Sequence, residues 1–255
     1  MYNPDTETLE QLHIGHLRCI QPKRGYRFSL DAVLLADFLT IKTDERLIDL
    51  GTGIGIIPLF VSALYAVRHI VGLELQERLF DIACRNVRLN NLEDCIRIVQ
   101  GDLKNVSGIF RAGEFEVLCS NPPYRKVGSG RINPREEQAI ARHEIACELD
   151  DLLVAAKYLV KPGGRAFFIY LAERVGELLA GLSRYRLEPK KIRCVHPTLH
   201  TPASLVLVEA QRDARPGMVV LPPLWLYSQE NVYSPEAKQI LREQEDTLFK
   251  GGERQ

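Results

Sequence analysis

Arg46-Leu47-Ile48-Asp49-Leu50-Gly51-Thr52-Gly53-Ile54-Gly55 is the stretch on which the reading of this chain turns. A short apolar run of strand length ends in glycines at alternate positions. The apolar segment Ile56 to Ala66 follows and reads as a helix. Strand, glycine-rich turn and helix together make the first half of a βαβ unit. Glycine tolerates positive φ and lets a ligand come close to the backbone. A dinucleotide fingerprint would read G-x-G-x-x-G/A. Here the spacing is G-x-G-x-G, with bulky Ile56 and Ile57 after it. On this turn alone, a nicotinamide or flavin site and a plain tight turn both remain open.

The same alternation continues outward. His69–Leu73 reads as a strand ending in Glu74. Glu77 to Asn90 is a helix with Leu79, Ile82, Ala83 and Val87 on one face. Ile96–Gln100 is a strand ending in Gly101-Asp102, and Glu116–Ser120 a strand ending in Asn121-Pro122-Pro123-Tyr124. Leu149 to Leu159 is a helix closed by Lys161-Pro162-Gly163-Gly164. Then come a strand over Arg165–Tyr170, a helix over Glu173–Leu182, and strands over Ile192–Val195 and Leu205–Glu209. Ahead of the glycine turn, Leu30 to Leu39 reads as a short amphipathic helix with Ser29 as N-cap.

Alternating strands and helices mean βαβ crossovers and a mainly parallel, doubly wound α/β sheet with helices on both faces. Three segments are expected: an N-terminal cap over 1–45, the main domain over 46–245 and a polar tail over 246–255. In such sheets ligands bind outside the carboxyl ends of the strands. Four unusual clusters fall at four consecutive strand ends, which is a much stronger signal than any one alone.

The 255 residues carry 33 Lys+Arg and 33 Asp+Glu, so net charge is zero. That balance excludes a protein gripping nucleic acid by bulk charge. It does not exclude local basic faces. Arg18 to Arg27 holds Arg18, Lys23, Arg24 and Arg27 with no acid, and Arg184 to Arg193 holds five bases against Glu188. Acids are expected to concentrate elsewhere. The N-terminus carries no basic, apolar leader pattern, and Ile54 to Val67 is too short to span a bilayer. The six cysteines have irregular spacing and form no C-x-x-C pair, so buried free thiols in the cytoplasm are expected. His13-x-x-His16 has no Cys or carboxylate cluster beside it, and no metal site is expected.

Glu74 follows Gly51 by 23 residues, the place where a carboxylate accepts bonds from ribose hydroxyls. Asp102 is placed to read an exocyclic adenine amino group, or to cap a helix. Asp49 is placed to hold the turn through backbone N–H groups, or to meet a cationic ligand group through water.

Asn121-Pro122-Pro123-Tyr124 is the most specific short motif in the chain. A planar amino nitrogen is a poor nucleophile because its lone pair is delocalised. The Asn121 side-chain oxygen and the Pro122 carbonyl can each accept one of its N–H bonds and aim the lone pair. The prolines fix φ, so that carbonyl is preorganised. Tyr124 can stack on a flat ring.

Asp49 to Gly55 resembles motif I of class I S-adenosylmethionine-dependent methyltransferases. Asn121 to Tyr124 resembles motif IV of their amino-group branch. The resemblance implies a Rossmann-like fold with a seven-stranded sheet and S-adenosyl-L-methionine as cofactor. It places Asp49, Gly51, Thr52, Gly53, Gly55, Glu74, Leu75, Asp102, Leu103 and Asn121 around that cofactor. Gln21 to Ala32, Ala141-Arg142-His143-Glu144 and the tail around Pro222-Pro223-Leu224-Trp225 and Ser234-Pro235-Glu236 are similar to the tRNA1(Val) (adenine37-N6)-methyltransferase family. This likeness runs from about residue 11 to about 240. It implies methylation of adenine N6 in tRNA, next to the anticodon. Lys23, Arg24, Arg27, Arg125, Lys126, Arg131, Arg142 and His143 are then candidates for touching RNA. Guanine-N2 RNA methylation, protein-glutamine methylation, and a non-catalytic cofactor-binding RNA-binding protein remain as alternatives.

Overall fold

The computed structural model describes residues 2–12, 14–25, 27–122, 149–230 and 232–242. The chain opens with β1 (Glu7–Gln11) and β2 (Arg18–Pro22), an antiparallel pair, then α1 (Leu30–Phe38). The doubly wound part follows as β3 (Arg46–Leu50), α2 (Ile56–Tyr65), β4 (His69–Glu74), α3 (Glu77–Leu89), β5 (Ile96–Gln100), a 3₁₀ turn over Leu103–Gly108, and β6 (Phe115–Ser120). After the motif loop come α4 (Leu149–Leu159), β7 (Val160–Leu171), α5 (Val175–Arg184), β8 (Leu187–Thr198) and β9 (Leu205–Arg212). The end of the chain adds β10 (Val219–Val220), β11 (Leu224–Gln229), β12 (Val232–Tyr233) and α6 (Pro235–Leu241).

The main sheet runs β12-β11-β8-β9-β7-β6-β3-β4-β5, with β10 also paired to β8. Pairing is parallel from β5 through β7, and β9 is antiparallel to both β7 and β8. The expected seven strands form the centre. Strands from the tail widen the sheet to ten, because β10 and β11 pair along β8. The Lys161-Pro162-Gly163-Gly164 stretch lies inside β7 rather than ending the helix before it.

Strand periodicity sorts side chains to two cores. Leu47, Val117, Phe167 and Ile169 join one buried cluster, while Ile48, Leu50, Leu118, Phe168 and Tyr170 join the other. Successive residues point to opposite faces, so each buried strand reads as a continuous apolar run. The first cluster takes in α1, α2 and the N-terminal pair through Leu12, Ile14, Leu17, Cys19 and Ile20. The second is covered by α4 and α5 through Leu153, Leu159, Leu178 and Leu182.

Two expectations for α1 need correcting. It is not amphipathic: Ala32, Val33, Leu34, Leu35 and Ala36 are all buried in succession. It lies between α2, α6 and β7 and has no solvated stripe. Ser29 sits at the N-cap with extended backbone, yet its side chain accepts no cap hydrogen bond.

Candidate functional site

Parallel register brings the four special strand ends into one row. Leu50 pairs with Leu73, Glu74 with Gln100, and Asp49 with both Gly72 and Cys119. The chain runs from β3 out to β5 and returns to β6 on the other side of β3. Direction reverses between β3 and β6, and the crevice of an open α/β sheet lies at such a point. The glycine turn leaves β3 there, and Asn121 and Pro122 leave β6 beside it.

The turn is hooked over the neighbouring strand. Gly51 and Thr52 N–H groups donate to the Leu73 carbonyl at 2.9 and 3.0 Å. Gly51, Gly53 and Gly55 all adopt positive φ, at 75, 58 and 80°. Gly51 faces open space, so its bare backbone is available to a ligand. Gly55 starts α2, and a Cβ there would come within 3.3 Å of the Ala83 Cβ on α3. One glycine therefore serves ligand access and another serves helix packing.

Glu74 is buried and accepts two backbone bonds. Gly53 N–H reaches Oε2 and Gln76 N–H reaches Oε1, each at 2.8 Å. Burial raises its pKa, and those N–H groups oppose the rise. Leu75 beside it is exposed. The Gln76 side chain bonds the carboxylate as well, and the two oxygens of a carboxylate together offer about four acceptor sites. Asp102 is the N-cap of the 3₁₀ turn, its Oδ1 accepting from Lys104 N–H at 2.9 Å. The capping role is thus realised, and Oδ2 has no hydrogen-bond partner among the described residues. Leu103 opens that turn.

Asp49 is wholly buried on the apolar face that α2 covers. Among the described residues it accepts no backbone N–H, so it does not hold the turn in that way. Its Oδ1 accepts only a weak bond from the Cys119 thiol at 3.5 Å. Among the described residues, Oδ2 and the Thr52 Oγ1 have no hydrogen-bond partner. Burial pushes the Asp49 carboxyl up to about 7. Thr52 and Cys119 oppose the rise and Glu74 adds to it. Buried polar atoms without partners are costly and rare in folded proteins. Two of them at one glycine turn call for a polar ligand.

Ser120, buried at the end of β6, donates its hydroxyl to the Leu50 carbonyl at 2.8 Å and locks the two strands where the turn begins. Asn121 is half-buried and Pro122 is buried. Pro123, Tyr124, Arg125, Lys126, Arg131, Arg142 and His143 lie outside the described residues.

The basic segments are only partly solvated. Arg27 is ion-paired to Glu10 and donates to the Pro22 carbonyl. Lys23 and Arg24 are exposed and have no ion pair among the described residues. The second segment corrects the expected segregation of charge. Arg184, Arg186, Lys191 and Arg193 meet Asp150, Asp213, Glu209 and Glu236. Long-range folding supplies an acid for each of these bases, which a local count cannot show.

A protein from Shewanella sp. strain W3-18-1 named tRNA1(Val) (adenine(37)-N6)-methyltransferase is 30% identical over 184 residues, 71% of this chain and 73% of the relative. This chain belongs to that family. A member from Tolumonas auensis is 28% identical over 231 residues, covering 90% of this chain and 92% of its own. The family model for the methyltransferase small domain matches residues 28–144, which span the glycine turn and the Asn121 motif. Among solved structures, a predicted O-methyltransferase from Agrobacterium tumefaciens superposes with TM-score 0.68 at 21% identity, over 83% of this chain and 95% of its own. Geranyl diphosphate C-methyltransferase from Streptomyces coelicolor gives 0.53 at 17%, over 71% and 78%. At these identities the two structures establish the shared class I methyltransferase fold.

One functional-region residue escaped the sequence reading. Asn86 is wholly buried in the stripe Leu79, Ile82, Ala83, Asn86 and Val87 of α3. The signal was present as a polar residue at a core position of an otherwise apolar helical stripe.

Proposed function

We infer that this chain is an S-adenosylmethionine-dependent methyltransferase acting on the exocyclic N6 of an adenine in tRNA, next to the anticodon; its relatives' names print adenine 37. The observation that carries the reading is the crevice between β3 and β6, where the ligand-ready glycine turn and Asn121 stand side by side. The curated relatives share the printed activity over most of the chain.

The site's residues fit the cofactor. Ribose hydroxyls suit Glu74, the adenine amino group suits Asp102 Oδ2, and an ammonium group suits Asp49. Leu75 and Leu103 would flank the adenosine. When bound, S-adenosylmethionine supplies an electrophilic methyl on a sulfonium sulfur. Asn121 Oδ1 and the Pro122 carbonyl accept the two N–H bonds of the target amine and turn its lone pair toward that methyl. Orientation for in-line transfer supplies most of the rate. Tyr124 would stack on the base, which must leave the anticodon-loop stack to reach the site.

The test is methyl transfer from labelled cofactor to unmodified tRNA, followed by digestion and mass detection. N6-methyladenosine supports the reading. N2-methylguanosine, or label in protein glutamine instead, overturns it. Binding of NAD in place of S-adenosylmethionine would overturn the cofactor assignment.

Asp49 gives this site a pH signature. With a folded pKa of about 7, the carboxyl is half protonated near neutrality. A ligand ammonium favours the ionised form, so binding at lower pH must expel the proton. S-adenosylhomocysteine affinity should rise up to about tenfold per pH unit below pH 7 and level off above it. The sign for folding is opposite. The raised pKa leaves stability intact below the ordinary carboxyl range and erodes it as pH climbs through about 7. Asp49→Asn should flatten the affinity profile in calorimetric titrations; an unchanged profile would assign the proton elsewhere.

Lys23 and Arg24 belong to the RNA contact in this reading. With two or three phosphates engaged, the KM for tRNA should rise roughly tenfold from 50 to 200 mM salt. A salt-independent KM would remove electrostatics from substrate binding. Among the described residues no helix is long and apolar enough to cross a membrane, and Cys19, Cys84, Cys95, Cys119 and Cys194 are free thiols. Free thiols and a tRNA substrate together support work in the cytoplasm.

A further inference from the structure

α3 carries an asparagine pair that does for β2 what a neighbouring strand would do. Asn86 Oδ1 accepts from Ile20 N–H at 2.7 Å, and its Nδ2 donates to the Ile20 carbonyl at 3.1 Å. One helical turn on, Asn90 Oδ1 accepts from Arg18 N–H and its Nδ2 donates to the Arg18 carbonyl, both at 2.8 Å. Residues i and i+4 of a helix are about 6 Å apart along the axis, close to the rise of two strand residues. The spacing therefore lets two amides read two consecutive same-side residues of a strand. Arg85 pairs with Glu7 of β1 through both carboxylate oxygens, at 2.8 and 2.6 Å, and clamps the other strand.

Asn86 goes one step further than Asn90. Its Nδ2 also donates to the Ile54 carbonyl at 2.9 Å, inside the glycine turn. The same helix packs Ala83 against Gly55. A single buried amide thus ties the N-terminal hairpin, α3 and the cofactor turn at one point.

We propose that Asn86 is a positioning residue that couples the N-terminal hairpin to the cofactor turn. The inference rests on the reading that this turn binds S-adenosylmethionine. By fixing the Ile54 carbonyl, Asn86 holds the peptide planes of the turn in the geometry that presents the Gly51 and Gly53 backbone. A preorganised turn loses less freedom on binding. Coupling is reciprocal, so a ligand on the turn steadies the hairpin that leads into Lys23 and Arg24.

The experiment compares full-length wild type, Asn86→Ala and Asn90→Ala. S-adenosylhomocysteine titrations and steady-state kinetics are run beside hydrogen exchange of the peptide holding Arg18 and Ile20. Asn86→Ala should raise the S-adenosylhomocysteine Kd and the KM for cofactor about tenfold, with a smaller change in kcat per cofactor-binding site. Asn90→Ala removes the two Arg18 bonds and a bond to the Asn86 carbonyl on its own helix, but no bond to the glycine turn, and should leave that Kd within about twofold. In wild type, ligand should slow exchange at Ile20 about tenfold; Asn86→Ala should lose that response. A role confined to folding would lower thermal stability and the active fraction without moving Kd or KM. If Asn86→Ala does not fold, Asn86→Ser keeps one donor and carries the same readouts. An unchanged Kd in the Asn86 variant, or no ligand response at Ile20 in wild type, overturns the proposal. Failure of wild type to bind S-adenosylhomocysteine at all would instead overturn the cofactor reading, and this inference with it.

Discussion

Asn121→Ala is expected to lower kcat by about three orders of magnitude while leaving S-adenosylhomocysteine binding within twofold. The reason is geometric. Asn121 directly follows β6, which pairs with β3 beside the glycine turn, and in the proposed mechanism its side-chain oxygen accepts an N–H of the target amine. Losing one preorganised electrostatic partner in a water-excluded site costs about 100- to 1000-fold in kcat. Here the partner also sets the lone-pair direction, which puts the expectation at the upper end. The backbone should be little affected, because Ser120 holds β6 to β3 through the Leu50 carbonyl. Single-turnover methylation of tRNA, run beside a binding titration, separates the two effects. Near-wild-type turnover would remove Asn121 from catalysis.

Glu74→Ala should weaken S-adenosylhomocysteine binding by roughly 100-fold or more. Hydrogen bonds to a charged acceptor contribute about 1.5–3 kcal/mol each, and the ribose would lose two. The Gly53 and Gln76 N–H groups would also lose their acceptor, loosening the turn before ligand arrives. Glu74→Gln should fall between wild type and alanine, because its amide offers one oxygen where two N–H groups approach. Equal affinities for Glu74→Gln and wild type would mean that the carboxylate only braces the turn. Since burial raises the Glu74 pKa, the wild-type advantage over Gln should shrink at acid pH as the carboxyl protonates.

The two variants probe different halves of one crevice. Asn121 acts on turnover and Glu74 on cofactor affinity. Asp49 adds the pH dependence, and Asn86 links the turn to the segment in front of it.

Much of this crevice could be read from local sequence. Asp49 to Gly55, Glu74, Asp102 and Asn121 each follow a short apolar run, and strand followed by turn chemistry is a local pattern. Parallel pairing in register then makes their alignment nearly automatic. Helix α3 was legible because its apolar residues recur at spacings of three and four. The pair β1 and β2 was not. Glu7–Gln11 is mostly polar, and its conformation rests on pairing with β2 and on Arg85, 78 positions away. Ser29 looked like a cap because its residue type and place were right, but its side chain makes no cap bond, and α1 is anchored by the buried run Ala32 to Ala36.

Sequence alone thus determined the doubly wound sheet, the glycine turn and the order of special groups along its edge. These depend on periodicity and turn stereochemistry within a few residues. Tertiary structure alone decided which charges are spent, which strands widen the sheet and what Asn86 holds. Arg193 faces Glu236 across 43 positions, and Asn86 meets Ile54 across 32. A base is free or paired, and a buried amide is orphaned or satisfied, only according to what folding brings within hydrogen-bond reach.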